Sequence, residues 1–271
     1  MYKNKYKRAS TRIAKRNQIK RQIGIFFKIG LPVALLVGLI FLLRAEFLQV
    51  RNLEVLESKI IPADNIKNTA SNFISGNKFL LIPKSNILLL NKKKLTNILL
   101  NQFTRLERVE INKQIFSKTI KITAIERSPD FLWCSETDEC FFMTQNGFIF
   151  EKTLEGQASS SKIIFGGILK GESSPLLKNF ATPERMQNYL ELIEVFKRES
   201  FEIYSVNIES SDKAIAKTNI GDVFFSPEGD DLSLVAENII LLFNKVKNEN
   251  PSAQFNYIDA RFGNKFYYKL Y

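Results

Sequence analysis

The chain has 271 residues, no histidine, two cysteines and a formal net charge of +11, with a pI near 9.5. Lacking histidine, it lacks the usual base of a nucleophilic triad and the commonest metal ligand, and two cysteines alone cannot complete a structural zinc site. All of the excess charge lies in residues 1–44, which hold eleven Lys or Arg and no acid, while residues 45–271 hold 28 charges of each sign. The basicity therefore points to a membrane-flanking tail and away from nucleic acid.

Residues 1–22 read as a cytoplasmic tail with nine Lys or Arg. Ile23–Leu43 follows as the one long apolar run, close to the roughly 20 residues that a helix needs to cross a bilayer. Lys28 sits near its start, where the amine can snorkel back to water. Pro32 is tolerated in a membrane helix. Arg44 and Glu46 close the run. It is too long for the core of a cleaved signal peptide, and Leu42–Glu46 offers no small-x-small cleavage site. The expectation is an uncleaved signal-anchor, amino terminus inside and carboxyl terminus outside, with the tail touching anionic lipid.

Beyond the span, Phe47–Glu57 reads as a strand with Leu48, Val50, Leu53 and Val55 as its apolar positions. Ile61–Gly76 reads as a helix started by Pro62 and stopped by Gly76, burying Ile66, Ala70, Phe73 and Ile74. Phe79–Pro83 is a short apolar connector. Leu90–Leu106 reads as a second helix with Leu95, Ile98, Leu99 and Phe103 on one face. Lys92-Lys93-Lys94 falls in its first turn, against the helix dipole, either as a solvated face or as a contact for an anionic partner or lipid head. Arg108–Asn112 and Thr119–Ile125 alternate as strands with Val109, Ile111, Ile120 and Ile122 inward. Strand, helix, helix, strand, strand makes a small α+β module.

This βααββ module, placed just after a single signal-anchor, resembles the POTRA domain of the FtsQ/DivIB family of bacterial cell-division proteins. Thr119–Pro129 (TIKITAIERSP) is similar to the family's strand ending in Glu-Arg-x-Pro, and Leu53-Glu54-Val55 to its opening strand. Two departures are visible. Leu56-Glu57 stands where the family often has a glycine, and Ser117 stands where it often has a proline.

The second half continues the resemblance. Phe131–Trp133 and Phe141–Glu151 read as strands, the latter turning at Asn146-Gly147, a strong hairpin signal. Gly156–Gly171 is a polar loop with one short strand, Ile163–Phe165. Thr182 caps a helix that has Pro183 at its first position and a stripe of Met186, Tyr189, Leu190, Ile193 and Phe196. Phe201–Glu209, Lys213–Thr218 and Asp222–Phe225 read as strands, the last two separated by a Gly221-Asp222 turn. Ser226–Gly229 is a turn. Asp230-Asp231 then open a helix to about Lys247 that buries Val235, Ile239, Leu242 and Val246. Phe255–Tyr271 is a terminal hairpin turning at Gly263-Asn264. Within it, Tyr257–Phe262 (YIDARF) is similar to the family's Tyr-x-Asp-x-Arg-Tyr/Phe signature, the most specific match in the chain. The expected organisation is tail 1–22, span 23–43, POTRA domain 47–127 and a C-terminal β domain 128–271 with a mixed or antiparallel sheet and two helices.

The carboxylate groupings Glu136/Asp138/Glu139, Glu191/Glu194 and Asp230/Asp231 read as exposed turn and helix charges. No phosphate loop, nucleophile motif or metal spacing occurs, so the expectation is no catalytic residue, cofactor, metal or small-molecule substrate. Cys134 and Cys140 end two apolar strands across a short loop, and a disulfide between them is expected outside the membrane. Trp133 is expected in the core. Asp259 and Arg261 share a strand face and are expected to pair with cross-strand neighbours, Lys265 or Lys269 among them.

The resemblance implies a septal scaffold. Such a protein links the early division ring to septal peptidoglycan synthesis and binds FtsB-like and FtsL-like single-span partners and the septal synthase complex. Lys265–Tyr271 is the candidate edge for strand addition. Tyr257, Asp259, Arg261, Phe266, Tyr267, Tyr268 and Tyr271 are the candidate contact residues. The alternative is a POTRA-bearing polypeptide translocation or assembly factor, which ordinarily carries several repeats and a barrel.

Overall fold

The structure is a computed structural model that describes residues 15–271 apart from 17, 19, 21–23, 25, 79–80, 138, 155–161, 168–173, 229–230 and 264. Most of the basic tail, Ile23 at the start of the expected span, Phe79-Leu80, Asp138, much of the Gly156–Gly171 loop, Gly229, Asp230 and Asn264 lie outside the described residues.

Phe26–Gly30 forms one π-helical turn, and α1 (Leu31–Arg44) follows with Pro32 in its first turn. Proline has no N–H to return to the preceding turn, and a π-turn is one way a helix absorbs that loss. Phe27–Arg44 is long and apolar enough to cross a membrane, with mean hydropathy 2.0 and none of its side chains buried by the rest of the chain. The helix runs one residue past the expected end.

The chain separates into two compact units, Met1–Glu126 and Arg127–Tyr271. The first contains β1 (Asn52–Leu56), α2 (Ala63–Ile74), β2 (Asn77–Lys78), β3 (Ile82–Pro83), α3 (Lys92–Gln102), β4 (Leu106–Gln114) and β5 (Thr119–Glu126). Its main sheet has the order β1-β5-β4, with β1 parallel to β5 and β5 antiparallel to β4. Phe47 and Leu48, expected as strand, instead fall in one turn of 3-10 helix, Glu46–Leu48, and β1 starts only at Asn52.

Ile66, Ala70 and Ile74 recur every fourth residue of α2, and all three are buried; that spacing keeps them on one face. Leu95 and Leu99 do the same for α3. They meet Val109, Ile111, Ile120 and Ile122 from the sheet. Each fully buried aliphatic chain of this kind contributes about 1.5–3 kcal/mol. The second helix is shorter than Leu90–Leu106. Asn91 caps it by accepting from Lys94 N at 3.0 Å, and Leu106 belongs to β4. Ile98 stays outside the core cluster, and Leu100 packs there instead.

Two details close the first unit. Glu57 holds φ +63 immediately after β1, so a side chain occupies a left-handed position that favours glycine. The Glu126 carboxylate then gathers the following turn: its Oε1 accepts from the N–H groups of Lys59 (3.0 Å), Ile60 (2.9 Å) and Ile61 (2.9 Å). Partial burial pushes this carboxyl up, but the three backbone donors and Arg105 outweigh it and leave it below its ordinary value.

The second unit contains β6 (Phe131–Cys134), β7 (Cys140–Met143), β8 (Ile149–Lys152), β9 (Ile164–Gly167), α4 (Pro183–Arg198), β10 (Ile203–Ile208), β11 (Ala214–Thr218), β12 (Gly221–Phe225), α5 (Leu232–Glu249), β13 (Phe255–Phe262) and β14 (Lys265–Leu270). All the strands join one sheet in the order β14-β13-β12-β11-β10-β9-β6-β7-β8. β9 is parallel to both β6 and β10, β12 is parallel to β13, and the other neighbours are antiparallel. The molecule is thus mixed α+β with one large sheet.

α4 is capped by Thr182, with Pro183 opening the helix. α5 is capped by Asp231, which accepts from Leu234 N at 2.9 Å. The two helices pack together on one sheet face. Phe196, Leu192, Ile239 and Ala236 from the helices are buried with Val206, Val223, Phe225 and Ile258 from the strands. Leu190, Ile193, Val235 and Leu242 are only partly buried, while Leu192, Val195 and Ile240 are buried more deeply. Trp133 lies in this core.

The turn expected at Gly221-Asp222 falls at Asn219-Ile220, and Gly221 is the first residue of β12. Its φ is +114, and a Cβ there would stand 2.6 Å from the Phe255 carbonyl oxygen. The glycine serves close approach of β13 rather than the turn itself.

Candidate partner-binding edge

The two margins of the large sheet are β8 and β14. β8 does not end in open backbone. Ile149 N donates to Lys178 O (2.9 Å), Leu177 N to Ile149 O (2.8 Å) and Phe180 N to Gly147 O (2.8 Å). The segment 177–180 therefore lies along it, with a bridge between Phe148 and Asn179. β14 pairs with β13 on one side, and among the described residues no strand pairs with its other side. Past the strand, Tyr271 N donates to Gln254 O at 3.1 Å.

Alternation divides the candidate contacts between two faces. Phe266 and Leu270 pack partly against the helix-side core. Tyr268 is on that side as well, its ring 5.5 Å from Phe255, yet it stays exposed at this margin. Tyr267 and Tyr271 are exposed, with Lys265 and Lys269 at the alternate positions. Phe266 is thus partly used by the fold, whereas Tyr267, Tyr268 and Tyr271 are open to contact.

β13 supplies the second row. Tyr257 stacks on Phe224 with centroids 5.3 Å apart and planes at 15°. Arg261 Nε donates to Asp259 Oδ1 (2.9 Å), Arg261 Nη2 to Asp259 Oδ2 (2.7 Å), and Arg261 N also reaches Oδ1 (3.2 Å). The two residues therefore pair bidentately with each other. The cross-strand lysines face other residues: Lys265 is opposite Phe262 and Lys269 opposite Tyr257. A side chain two residues along the strand lies on the same face and is near enough for the planar guanidinium fork.

The Asp259 side chain is 9% exposed and that of Arg261 25%. Burial pushes the Asp259 carboxyl up, but the Arg261 guanidinium and N–H, with Lys213 beyond, outweigh it and hold the carboxyl below its usual value. The hydrogen bond to Asp259 raises Arg261 in turn.

Two neighbours, Phe224 and Lys213, were not singled out from the sequence, and Phe262 reads there only as the end of the YIDARF match. Phe224 carries Tyr257, Lys213 lies over the Phe224 ring at 5.5 Å, and Phe262 meets Tyr267 edge-on at 5.4 Å. Alternation along Asp222–Phe225 carried the signal for Phe224, since Val223 and Phe225 are the buried positions.

Elsewhere in the unit, Cys134 and Cys140 are directly opposite on β6 and β7 and are joined by a disulfide. Glu139 pairs with Lys152, Asp231 caps α5, and Glu191 accepts from Gln187. These carboxylates serve separate structural contacts. Among the described residues no group of three His, Cys, Asp or Glu is placed to hold a metal ion. A depression of about 680 Å³ lies at the start of α4. Within it, Arg185 donates to Pro227 O at 2.7 Å and lies 3.5 Å from Glu228. Neither the models of known protein families nor the characterised proteins compared with the chain match it.

Proposed function

We propose that this chain is a non-catalytic, membrane-anchored scaffold of the bacterial divisome, of the FtsQ/DivIB type. On this reading Phe27–Arg44 crosses the cell membrane with the basic tail inside, and both units lie outside. The first unit is a POTRA module. Its β1-α2-α3-β4-β5 content and β1-β5-β4 order support that assignment, with the two-residue strands β2 and β3 as an insertion. The scaffold joins early division-ring components to septal peptidoglycan synthesis by holding FtsB-like and FtsL-like partners and, through them, the synthase complex.

The observation that carries the proposal is the difference between the two sheet margins: β8 is lined at Ile149 by its own chain, and among the described residues no strand lines β14. An extended partner segment would add as the next strand beside β14. Main-chain hydrogen bonds would supply affinity, and Tyr267, Tyr268 and Tyr271 would supply specificity. Tyr257 and the Asp259–Arg261 pair shape the strand behind them. A bare strand edge invites aggregation, and Lys265 and Lys269 on β14 are the kind of charge that discourages it.

A photo-reactive residue at Tyr267 or Tyr271 in dividing cells tests this. The expected product is a cross-link to a small single-span division protein, absent when the reactive residue replaces Tyr204 on β10. Tyr267→Arg should fold normally and lose partner co-purification by about tenfold or more, the effect of losing one interface anchor. A tagged chain that labels the membrane uniformly, with no mid-cell band, would overturn the division role. A mid-cell band with unchanged co-purification by Tyr267→Arg would overturn the edge.

A further inference from the structure

We propose that the membrane-proximal end of the first unit is a second lipid contact. In it, Leu88, Leu89, Ile115 and Phe116 enter the headgroup and upper acyl region of the outer leaflet, and Lys92 and Lys113 engage anionic headgroups. The inference rests on reading Phe27–Arg44 as a membrane span.

The geometry starts at the last turn of that helix. Leu43 O accepts from Asn86 Nδ2 (2.8 Å) and Gln49 Nε2 (3.1 Å). Asn86 is fully buried, and its Oδ1 accepts from Leu88 N (2.9 Å) and Leu89 N (3.2 Å). One side chain thus fixes the two leucines to the end of the span, and both leucines are exposed. β3 also runs beside α1, so this part of the unit hugs the helix at its exit.

The β4–β5 turn reaches the same end. Lys118 O accepts from Arg51 N (2.9 Å) and Asn52 N (3.3 Å), the residues by which the chain arrives from the span. β1 and β5 then run parallel away from that level. The turn itself presents Ile115 and a fully exposed Phe116. An exposed phenylalanine at a hairpin tip gives the fold nothing, whereas an aromatic at a bilayer interface is favoured.

Lysines join these patches. Lys113 Nζ donates to Leu88 O at 3.1 Å, tying β4 to the leucine loop. Lys92 opens α3, the helix that packs on β4, the strand carrying Lys113; partial burial, and then the charge of Lys92, push the Lys113 amine down. An anionic headgroup would relieve that like-charge crowding. Apolar side chains with cations around them, held at the mouth of a span, match an interfacial membrane contact. The bilayer is the occupant because the face is bonded to the helix that crosses it.

The full chain in lipid nanodiscs tests the proposal, with single tryptophans added and the emission of Trp133 subtracted using the unaltered protein. Phe41→Trp reports the span, Phe116→Trp the proposed contact, and Ile60→Trp the far end of the same unit. With lipids brominated high on the acyl chain, Phe116→Trp is expected to shift to the blue and lose about half its emission, as for a group 5–10 Å into the interface. Ile60→Trp should be unaffected. Glu at both Lys92 and Lys113 should reduce this quenching in discs containing phosphatidylglycerol and much less in pure phosphatidylcholine.

Quenching at Phe41 with none at Phe116 beyond that at Ile60 would overturn the contact and leave the span standing. A residue-116 tryptophan shielded from acrylamide but not quenched by brominated lipid would overturn it in favour of a protein cover. No quenching at Phe41 would overturn the span and the contact together.

Discussion

The two margins of the nine-stranded sheet meet the same physical problem in opposite ways. At β8 the backbone groups of Gly147 and Ile149 are taken up by residues 177–180, and the next strand pair inward is cross-linked by Cys134–Cys140. At β14 the chain supplies lysines and tyrosines but no covering strand among the described residues. An unpaired edge templates pairing with other chains, so the margin that no described strand covers is a place for addition. The difference teaches where specificity can reside: β8 is committed to stability and β14 is available to a partner.

The comparison breaks most sharply if the sealed margin is opened. Gly147 holds φ +83, and a Cβ on it would lie 2.7 Å from Met186 Cγ, a buried side chain of α4. Gly147→Ala therefore meets both backbone strain and overpacking, and should destabilise the second unit by about 2–4 kcal/mol in chemical denaturation. The accompanying loss of order along 177–180 should appear as faster amide exchange at Ile149 and Phe180. A change below about 0.5 kcal/mol, the size of an ordinary surface substitution, would mean the seal is not held by this turn.

A smaller effect belongs to the disulfide. Cys134 and Cys140 are six residues apart, and closing so short a loop stabilises by about 2 kcal/mol on the chain-entropy model. Replacing both by alanine should lower stability by that amount in denaturant melts of non-reduced protein. Partner capture at the far margin should be unchanged, because six strands stand between β7 and β14 in the sheet order. Loss of capture without loss of stability would tie the sealed margin to binding and erase the distinction.

Much of the architecture was legible from pattern alone. Period-two alternation located β4 and β5, and the fourfold spacing of Ile66, Ala70 and Ile74 located a helix face. Asn146-Gly147 lies between β7 and β8, and Gly263 follows β13 with φ +64. Misreadings came where one residue type serves two purposes. Gly221 reads as a turn, yet it admits a carbonyl of β13. Leu106 extends an apolar helical stripe, yet it pairs with Glu126 in β4. Glu57 shows nothing in its chemistry to mark a left-handed backbone. At the candidate edge, the strand and its aromatics were readable. The side chain that answers Asp259 was only half readable: Asp259 and Arg261 share a face, but the register of β14, which sets Lys265 opposite Phe262 and Lys269 opposite Tyr257, is not visible in a single strand. Nor could the sequence expose the lining of β8, which depends on a segment nearly thirty residues further along the chain.

The smallest stability effect tests whether the open margin is otherwise as well built as the sealed one. Asp259 is nearly buried behind β14 and takes both arms of Arg261. Its folded carboxyl titrates below the ordinary value, despite burial, because the guanidinium and the Arg261 N–H favour the ionised form. A carboxyl depressed in the folded state contributes stability that is full above the unfolded pKa, about 3.9, and is lost as pH falls through the folded pKa. The contribution should therefore hold at neutral pH and fade below about pH 4. Asp259→Asn keeps the shape and removes the charge, and at pH 7 should cost about 1 kcal/mol, below the roughly 1.5–3 kcal/mol of a charged hydrogen bond because Arg261 retains some water. In denaturant melts repeated down the acid limb, the gap between the parent and the variant should narrow as pH drops. A gap that stays constant to low pH would mean the carboxylate is not what braces the strand beneath the open edge. A gap that widens would reverse the sign of the linkage and place the pair's stabilisation in the protonated form.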